Sequence, residues 1–530
     1  MRIHEKSRLL VAAAALVLLG LLCAAPVAAA FLPLATSKGA TLAGVLREPR
    51  QWRLFLTTAA VALGAAGVAT LLGAPAGYFL GRMPARPRRL LAGLLAAPLL
   101  IPPYVTAVAW VDALGRAGML NRLLTSWDAV PSLVRPYGLA ATIMVIALSY
   151  FPVVAFAVLV GVRRLDGRWE EAALLSETGP RTLSRIVLPL VLPYLALGAG
   201  AVFLLALLSF SVPLLLQTPV YTVEIYTRFT SFYEPAQAVG HALPLALFLL
   251  PLPLVWRWSL RRQNRFATAS AGRPPLQSGA HLAVLGTAYC LCLAGVATGV
   301  PLAVLAVRAW PPDSFVEVWQ TARNAMATTL LLAALTATAG VAIAFFAARS
   351  LGARARHVAL PVALLPFIFS GPVLGLGLIR LWNHAGLPAL VYDGFAILVI
   401  ACLGRYCVFA YAGARAALDH LHPRLEEAAA VHGAGFLRRS MGIVLPAAAP
   451  AMAALWGLLF VLAMAELDTA VLVTPPGWTP LPVRIFTLMH YGPSRLVAAL
   501  CLTTAAFILA AAGIAVLAYT KTRKLIAGAS

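Results

Sequence analysis

Leu425-Glu-Glu-Ala-Ala-Ala-Val-His-Gly-Ala-Gly-Phe-Leu-Arg-Arg-Ser-Met-Gly-Ile-Val-Leu-Pro446 lies between two long apolar runs. Trp169-Glu-Glu-Ala-Ala-Leu-Leu-Ser-Glu-Thr-Gly-Pro-Arg-Thr-Leu-Ser-Arg-Ile-Val-Leu-Pro189 repeats its pattern earlier in the chain. Each stretch starts with residues that favour a helix, with acids in the turn where the helix dipole welcomes them. A glycine-bearing turn then breaks the helix, and a second segment leads to a proline at the start of the next run. A helix–turn–helix projecting between apolar spans is a docking element, because an exposed helix with an apolar face fits a partner's groove. A single copy would read equally well as an ordinary amphipathic loop. Two copies at matching places favour docking.

The flanking runs set the fold class. Hydrophobic residues make up 61% of the 530-residue chain and charged ones 11%. The mean hydropathy of +0.88 excludes a soluble globule, a disordered chain and a collagen-like fibre. Apolar runs of about twenty residues, each long enough to cross a bilayer as a helix, recur throughout. A membrane barrel would show alternating segments of about ten residues instead. The reading is an all-α integral membrane protein of about twelve spans, near 9–31, 54–80, 91–114, 139–162, 191–216, 242–260, 282–307, 326–348, 358–383, 395–414, 447–473 and 496–519.

The net charge of +23 follows this topology. With the N-terminus inside, the cytoplasmic segments hold 26 Lys and Arg against 12 outside, as the positive-inside rule requires. Both termini are therefore expected in the cytoplasm, the basic residues are expected to meet anionic headgroups, and nucleic acid is not an expected partner. The first apolar run, Leu9–Phe31, exceeds the usual apolar core of a signal peptide and reads as an uncleaved span. The six cysteines fall inside spans, without the spacing of a disulfide or zinc framework.

The two halves repeat in order. Thr57-Thr58 opens a span ending at Gly81-Arg82, as Thr328-Thr329 lies early in one ending at Ala348-Arg349. Pro98, Pro102 and Pro103 interrupt the third span, as Pro366 and Pro372 interrupt the ninth. Paired interruptions mark an internal repeat with broken helices beside a transport path. Six spans per half make the repeats parallel. A polar stretch, Arg261–Ser278, has the composition of a flexible linker between them.

At the two loops the chain resembles the permease subunits of type I ABC importers, whose coupling loops read Glu-Ala-Ala, three residues, Gly, nine residues, Ile-x-Leu-Pro. The second loop fits throughout, with Glu426 preceding Glu427-Ala428-Ala429, then Gly433, Ile443 and Leu445-Pro446. The first offers Glu170, Glu171-Ala172-Ala173, Ile186 and Leu188-Pro189, but has Glu177 in place of the glycine and is one residue shorter. Gly179 is the candidate substitute turn.

The resemblance implies two parallel six-helix repeats with the MetI-like fold of type I ABC permeases. The implied division is 1–53, first span and external segment; 54–260, first permease module with coupling loop 163–190; 261–281, linker; 282–325, seventh span and external segment; 326–519, second module with coupling loop 415–446; and 520–530, cytoplasmic tail. It also implies a multi-pass protein of the bacterial inner membrane that performs no chemistry and needs no cofactor. Its partners would be two copies of a cytoplasmic ATPase and a periplasmic or extracellular binding protein. No Gly-x-x-x-x-Gly-Lys-Ser/Thr phosphate loop occurs in the chain, which places ATP hydrolysis on another polypeptide. Fused double permeases of this length resemble the ferric-iron uptake family most closely, with thiamine, polyamine and phosphonate permeases as alternatives. A twelve-span secondary transporter is the rival from another class, and the two loops count against it.

Charges at membrane depth are costly and mark a cavity or a partner. The candidates are Glu466 and Asp468 in the eleventh span, Arg380 in the ninth, Arg405 in the tenth and Asp112 in the third. They either pair between helices or line the translocation path, and Glu466 is the first choice for the path. Two residues apart on a helix, Glu466 and Asp468 would point about 200° apart. Asp419, His420, His422, Glu426 and His432 look like a metal cluster but belong to the second loop, where a solvated partner-facing surface is the better reading. No catalytic or metal site is expected.

Overall fold

A computed structural model describes residues 2–36, 49–115, 118, 136–175, 178–249, 251, 254, 258, 261, 279–419, 421 and 423–528. Glu177, His420, His422, most of the 261–281 linker and part of the expected sixth span lie outside them. All regular structure among the described residues is helical. In hydrocarbon each backbone N–H and C=O must find its partner within the protein, and a helix provides this locally. Among the described residues, nine helices are long and apolar enough to span a bilayer, or eleven when each of two sharply bent pairs is counted as one span.

The bends fall at the proline interruptions. Helices Ala85–Leu100 and Pro103–Leu114 meet at 86°, and Ala355–Ile368 meets Gly371–Trp382 at 103°. Ile101 and Pro102 in the first break, and Phe369 and Ser370 in the second, have extended backbones. Proline disfavours helical geometry in the residue before it and suits the first turn of a new helix. Pro103 and Pro372 open the second pieces accordingly.

The chain forms two compact units. One comprises residues 41–227 and 240–310 and holds the first loop. The other comprises residues 1–40, 228–239 and 311–530 and holds the second. In the 41–310 unit, helix Pro49–Arg82 presents Gly73, Gly77 and Gly81 to helix Leu139–Arg163. A β-carbon at Gly77 would strike the Ala155 carbonyl, so this small-residue stripe lets two backbones approach closely. The later helix Ala280–Ala309 packs on the same body, where Tyr289 donates to the Leu72 carbonyl at 2.9 Å. In the other unit it is the first apolar helix that packs beside the later spans. Arg8 Nε donates to the Ser350 carbonyl at 3.2 Å, and Phe31 meets Phe369 edge-on at 5.1 Å. The first span thus belongs to the body built from the last 220 residues, and the seventh to the body built from the first half.

Candidate functional site

The two loops are built alike. In the first, Asp166 caps helix Gly167–Leu174 by accepting from the Arg168 N–H at 3.1 Å. Glu170 is turned inward, only 2% exposed, and accepts from Arg82 Nη2 at 2.6 Å. The Arg82 guanidinium also lies over the Tyr78 ring, 4.6 Å from its centroid. Ala173 is buried, Glu171 half-buried, and Ala172, Leu174 and Leu175 are exposed. In the second, Glu426 of helix Pro423–Val431 accepts from Arg349 Nη1 and Nη2 at 2.8 and 2.7 Å. Arg439 lies 3.7 Å from the same carboxylate, and Phe436 packs under the Arg349 guanidinium at 5.5 Å. The Arg349 hydrogen bonds hold the Glu426 carboxyl below its ordinary range, with partial burial opposing them and the Arg349, Arg439 and Arg8 charges assisting. Glu427 is exposed, as are Ala430 and Val431.

Gly433 ends the second loop's helix with φ +75, a left-handed conformation that L side chains resist. Its N–H bonds the Ala430 carbonyl at 3.0 Å and the Ala434 N–H bonds the Ala429 carbonyl at 3.1 Å, which together make a Schellman cap. Gly435 precedes the next short helix, Phe436–Arg439. In the first loop Gly179 opens helix Gly179–Thr182 and does not have a left-handed φ, so it occupies the place of Gly435 rather than that of Gly433. Each second segment then passes through a π-helical turn, Leu183–Val187 or Ser440–Val444, which contains Ile186 or Ile443. Each runs on into a twenty-residue helix that starts with Leu188-Pro189 or Leu445-Pro446.

The intramembrane candidates separate. Helix Leu445–Met464 ends before Glu466 and Asp468, so the helical angle between them does not apply. In the irregular segment both acids turn to one cation. Arg405 Nε lies 3.2 Å from Glu466 and Arg405 Nη2 lies 3.3 Å from Asp468. Glu466 also accepts from the Tyr406 hydroxyl, and from the Thr469 N–H at 2.8 Å. Gly371, at the break of the bent pair, rests against Asp468 with no room for a side chain. Arg380 is exposed outside this cluster, its carbonyl bonded to the His384 ring at 2.7 Å. Asp112 lies in the other unit, within reach of the Arg308 charge.

Sequence reasoning did not single out Tyr406 or the serines that replace the ionic cluster in the first repeat. Counted from Glu170 and Glu426, Ser149 stands where Arg405 does, and Tyr150 where Tyr406 does. Counted from the ends of the matching twenty-residue helices, Ser209 stands for Glu466 and Ser211 for Asp468. All three serines are buried. Laying one loop over the other would have found them.

Residues 73–267 and 340–524 each match the binding-protein-dependent transport system inner membrane component family, and together they make up more than half of the chain. The chain belongs to that family, as two type I ABC permease repeats in one polypeptide. Among curated relatives, the putative 2-aminoethylphosphonate transport system permease protein PhnV of Salmonella paratyphi A is 28% identical over 149 residues. That match covers 28% of this chain and 56% of the relative. The molybdenum transport system permease protein ModB of Mycobacterium tuberculosis is 26% identical over 211 residues, 38% of this chain and 72% of its own. ModB of Haemophilus influenzae is 26% identical over 171 residues, 32% of this chain and 73% of its own.

Proposed function

We propose that this chain, with its two permease repeats, forms the membrane-spanning part of an ATP-driven importer of the bacterial inner membrane, with both loops facing the cytoplasm. Each loop docks in one copy of a cytoplasmic ATPase, and a binding protein delivers cargo on the opposite face. The observation that carries this reading is the duplicated anchor, Arg82 on Glu170 and Arg349 on Glu426. It fixes the inner side of each coupling helix and leaves Leu174, Leu175 and Val431 exposed for a partner's groove.

For the cargo, the 2-aminoethylphosphonate relatives favour a phosphonate-class compound. Ferric iron is the second reading and rests on the resemblance of fused double permeases to iron-uptake systems. Against it, Glu466 and Asp468 share the Arg405 charge and do not form a bare carboxylate site. Uptake of radiolabelled 2-aminoethylphosphonate, molybdate and ferric iron into cells with and without the chain tests these assignments. ATP-dependent phosphonate uptake that disappears with the chain is the expected result. Iron uptake alone would reverse the preference. Uptake unaffected by loss of ATP, with ion gradients held, would overturn the importer reading.

A further inference from the structure

Behind the second coupling helix, the 311–530 unit holds a partly open pocket of about 270 Å³. Arg349, Arg356 and Arg415 line it together with Asp419 and Glu426, and the rest of the wall is apolar, including Leu418, Val444 and Ala447. Both carboxylates are already engaged. Glu426 is held by Arg349, and Asp419 takes Arg415 Nη2 at 2.7 Å. Arg356 gives its Nε to the Leu351 carbonyl at 2.8 Å, and its two terminal nitrogens have no acceptor among the described residues. Burial disfavours the Arg356 charge most, the Arg415 and Arg8 charges repel it, and Tyr411 and Asp419 partly offset this. Three arginines and two acids line the cavity, so the site carries a net positive charge, with the Arg356 terminal nitrogens still open to an acceptor.

We propose that this pocket binds a phosphate-type oxyanion, carried on the headgroup of an acidic phospholipid from the adjoining leaflet. Guanidinium groups match phosphate oxygens in geometry and hold them with charge-assisted hydrogen bonds. Basic pockets between transmembrane helices bind such headgroups. The mixed wall suits an amphiphile, with the phosphate on Arg356 and Arg415 and the first part of the acyl chain along Leu418, Val444 and Ala447. Because Arg349 borders this pocket and also grips Glu426, the lipid would contact the anchor of the coupling helix directly. The inference needs only this unit's geometry and stands apart from the choice of cargo.

The test uses the purified full chain and native mass spectrometry after exposure to dioleoylphosphatidylglycerol or dioleoylphosphatidylcholine. A second arm titrates inorganic phosphate in lipid-free micelles and follows thermal unfolding. Two variants are compared, Arg356→Gln/Arg415→Gln and Ala447→Phe, the latter filling the pocket with every charge in place. At roughly fivefold in affinity per arginine, the double variant should lose about twenty-five-fold in phosphatidylglycerol binding. Preferential retention of phosphatidylglycerol that both variants lose supports the headgroup as source. A phosphate-dependent rise in Tm that both variants lose, without lipid preference, supports the same site with a free anion as source. Equal retention of the two lipids with no phosphate response overturns the proposal, and so do responses that Ala447→Phe leaves unchanged.

Discussion

Arg349, in the last turn of helix Asp313–Ser350, clasps Glu426 of the second coupling helix through both terminal nitrogens, at 2.7 and 2.8 Å. Arg82, the last residue of helix Pro49–Arg82, holds Glu170 in the first repeat. At 1.5 Å per residue these helices are roughly 57 and 51 Å long, well beyond a hydrocarbon core of about 30 Å. In each repeat a long helix therefore ends on the short helix proposed above to dock in an ATPase. On that proposal, tilting the long helix would move the docking helix with it and carry ATPase closure to the spans.

Removing either half of the anchor should loosen the coupling helix without unfolding the bundle. Arg349→Gln should cost about 1.5–3 kcal/mol in local order, the range for charge-assisted hydrogen bonds. The measurement is hydrogen exchange across residues 423–435 together with uptake at equal membrane abundance. Faster exchange and lower uptake are expected, with partial recovery in Arg349→Glu/Glu426→Arg. If the swapped pair performs no better than either single change, the direct pairing has no positioning role.

Acid should release the second anchor in a defined window. The folded-state pKa of Glu426 is lowered, chiefly by Arg349, so its contribution is complete above the unfolded value of about 4.3. It is lost as pH falls through the lower folded value. Exchange protection of the coupling helix should therefore hold from neutral pH down to about 4.3 and decline below that. Glu426→Gln should lower protection at neutral pH and flatten the acid step. An unchanged step in that variant would assign the titration elsewhere.

Glycines in the two loops should respond differently to alanine. Gly433 has φ +75, so Gly433→Ala forces a left-handed alanine and should cost about 1–2 kcal/mol. Gly179 opens a helix with nothing within 4 Å of a new β-carbon, and Gly179→Ala should be tolerated. The exposed Glu427 should also matter more than the half-buried Glu171, because the second loop has Gly433 at its turn where the first has Glu177 in sequence. Glu171→Ala and Glu427→Ala, compared for uptake and ATPase co-purification, check the asymmetry. Equal losses would show that the first loop docks equally well without that glycine.

The loops, the breaks and the helical class were legible in the sequence because each rests on local chemistry. Glu-Glu-Ala-Ala makes a helix, Gly433 ends it, and Pro102-Pro103 breaks a span whatever surrounds them. The grouping of the first span with the later half was not legible, since Phe31 against Phe369 is a contact between distant segments that no periodicity encodes. The pairing with Arg405 fits the expectation that these charges pair between helices, but the expected 200° between Glu466 and Asp468 does not hold. Hydropathy runs straight through residues 447–473, but the helix stops at Met464, and only the irregular backbone beyond it lets both acids reach Arg405.

That cluster leads to the last prediction. Arg405 and Glu466 are buried, so removing one member strands charge in a poorly solvated place and should cost about 3–5 kcal/mol. Replacing a whole buried ion cluster by well-packed neutral groups is often close to neutral. The first repeat already carries a neutral set at these positions, in Ser149, Ser209 and Ser211. Arg405→Ser alone should therefore sharply reduce membrane abundance and thermal stability, while Arg405→Ser/Glu466→Ser/Asp468→Ser should recover most of both. Abundance by immunoblot and unfolding in detergent read the structural outcome, and uptake reads the functional one. A triple variant that is stable but transports nothing would place the charges in the translocation path. Stability with full uptake would make them a tie that holds Gly371 and its broken helix against the segment after Met464. A triple variant less stable than Arg405→Ser would refute the equivalence of the two sets.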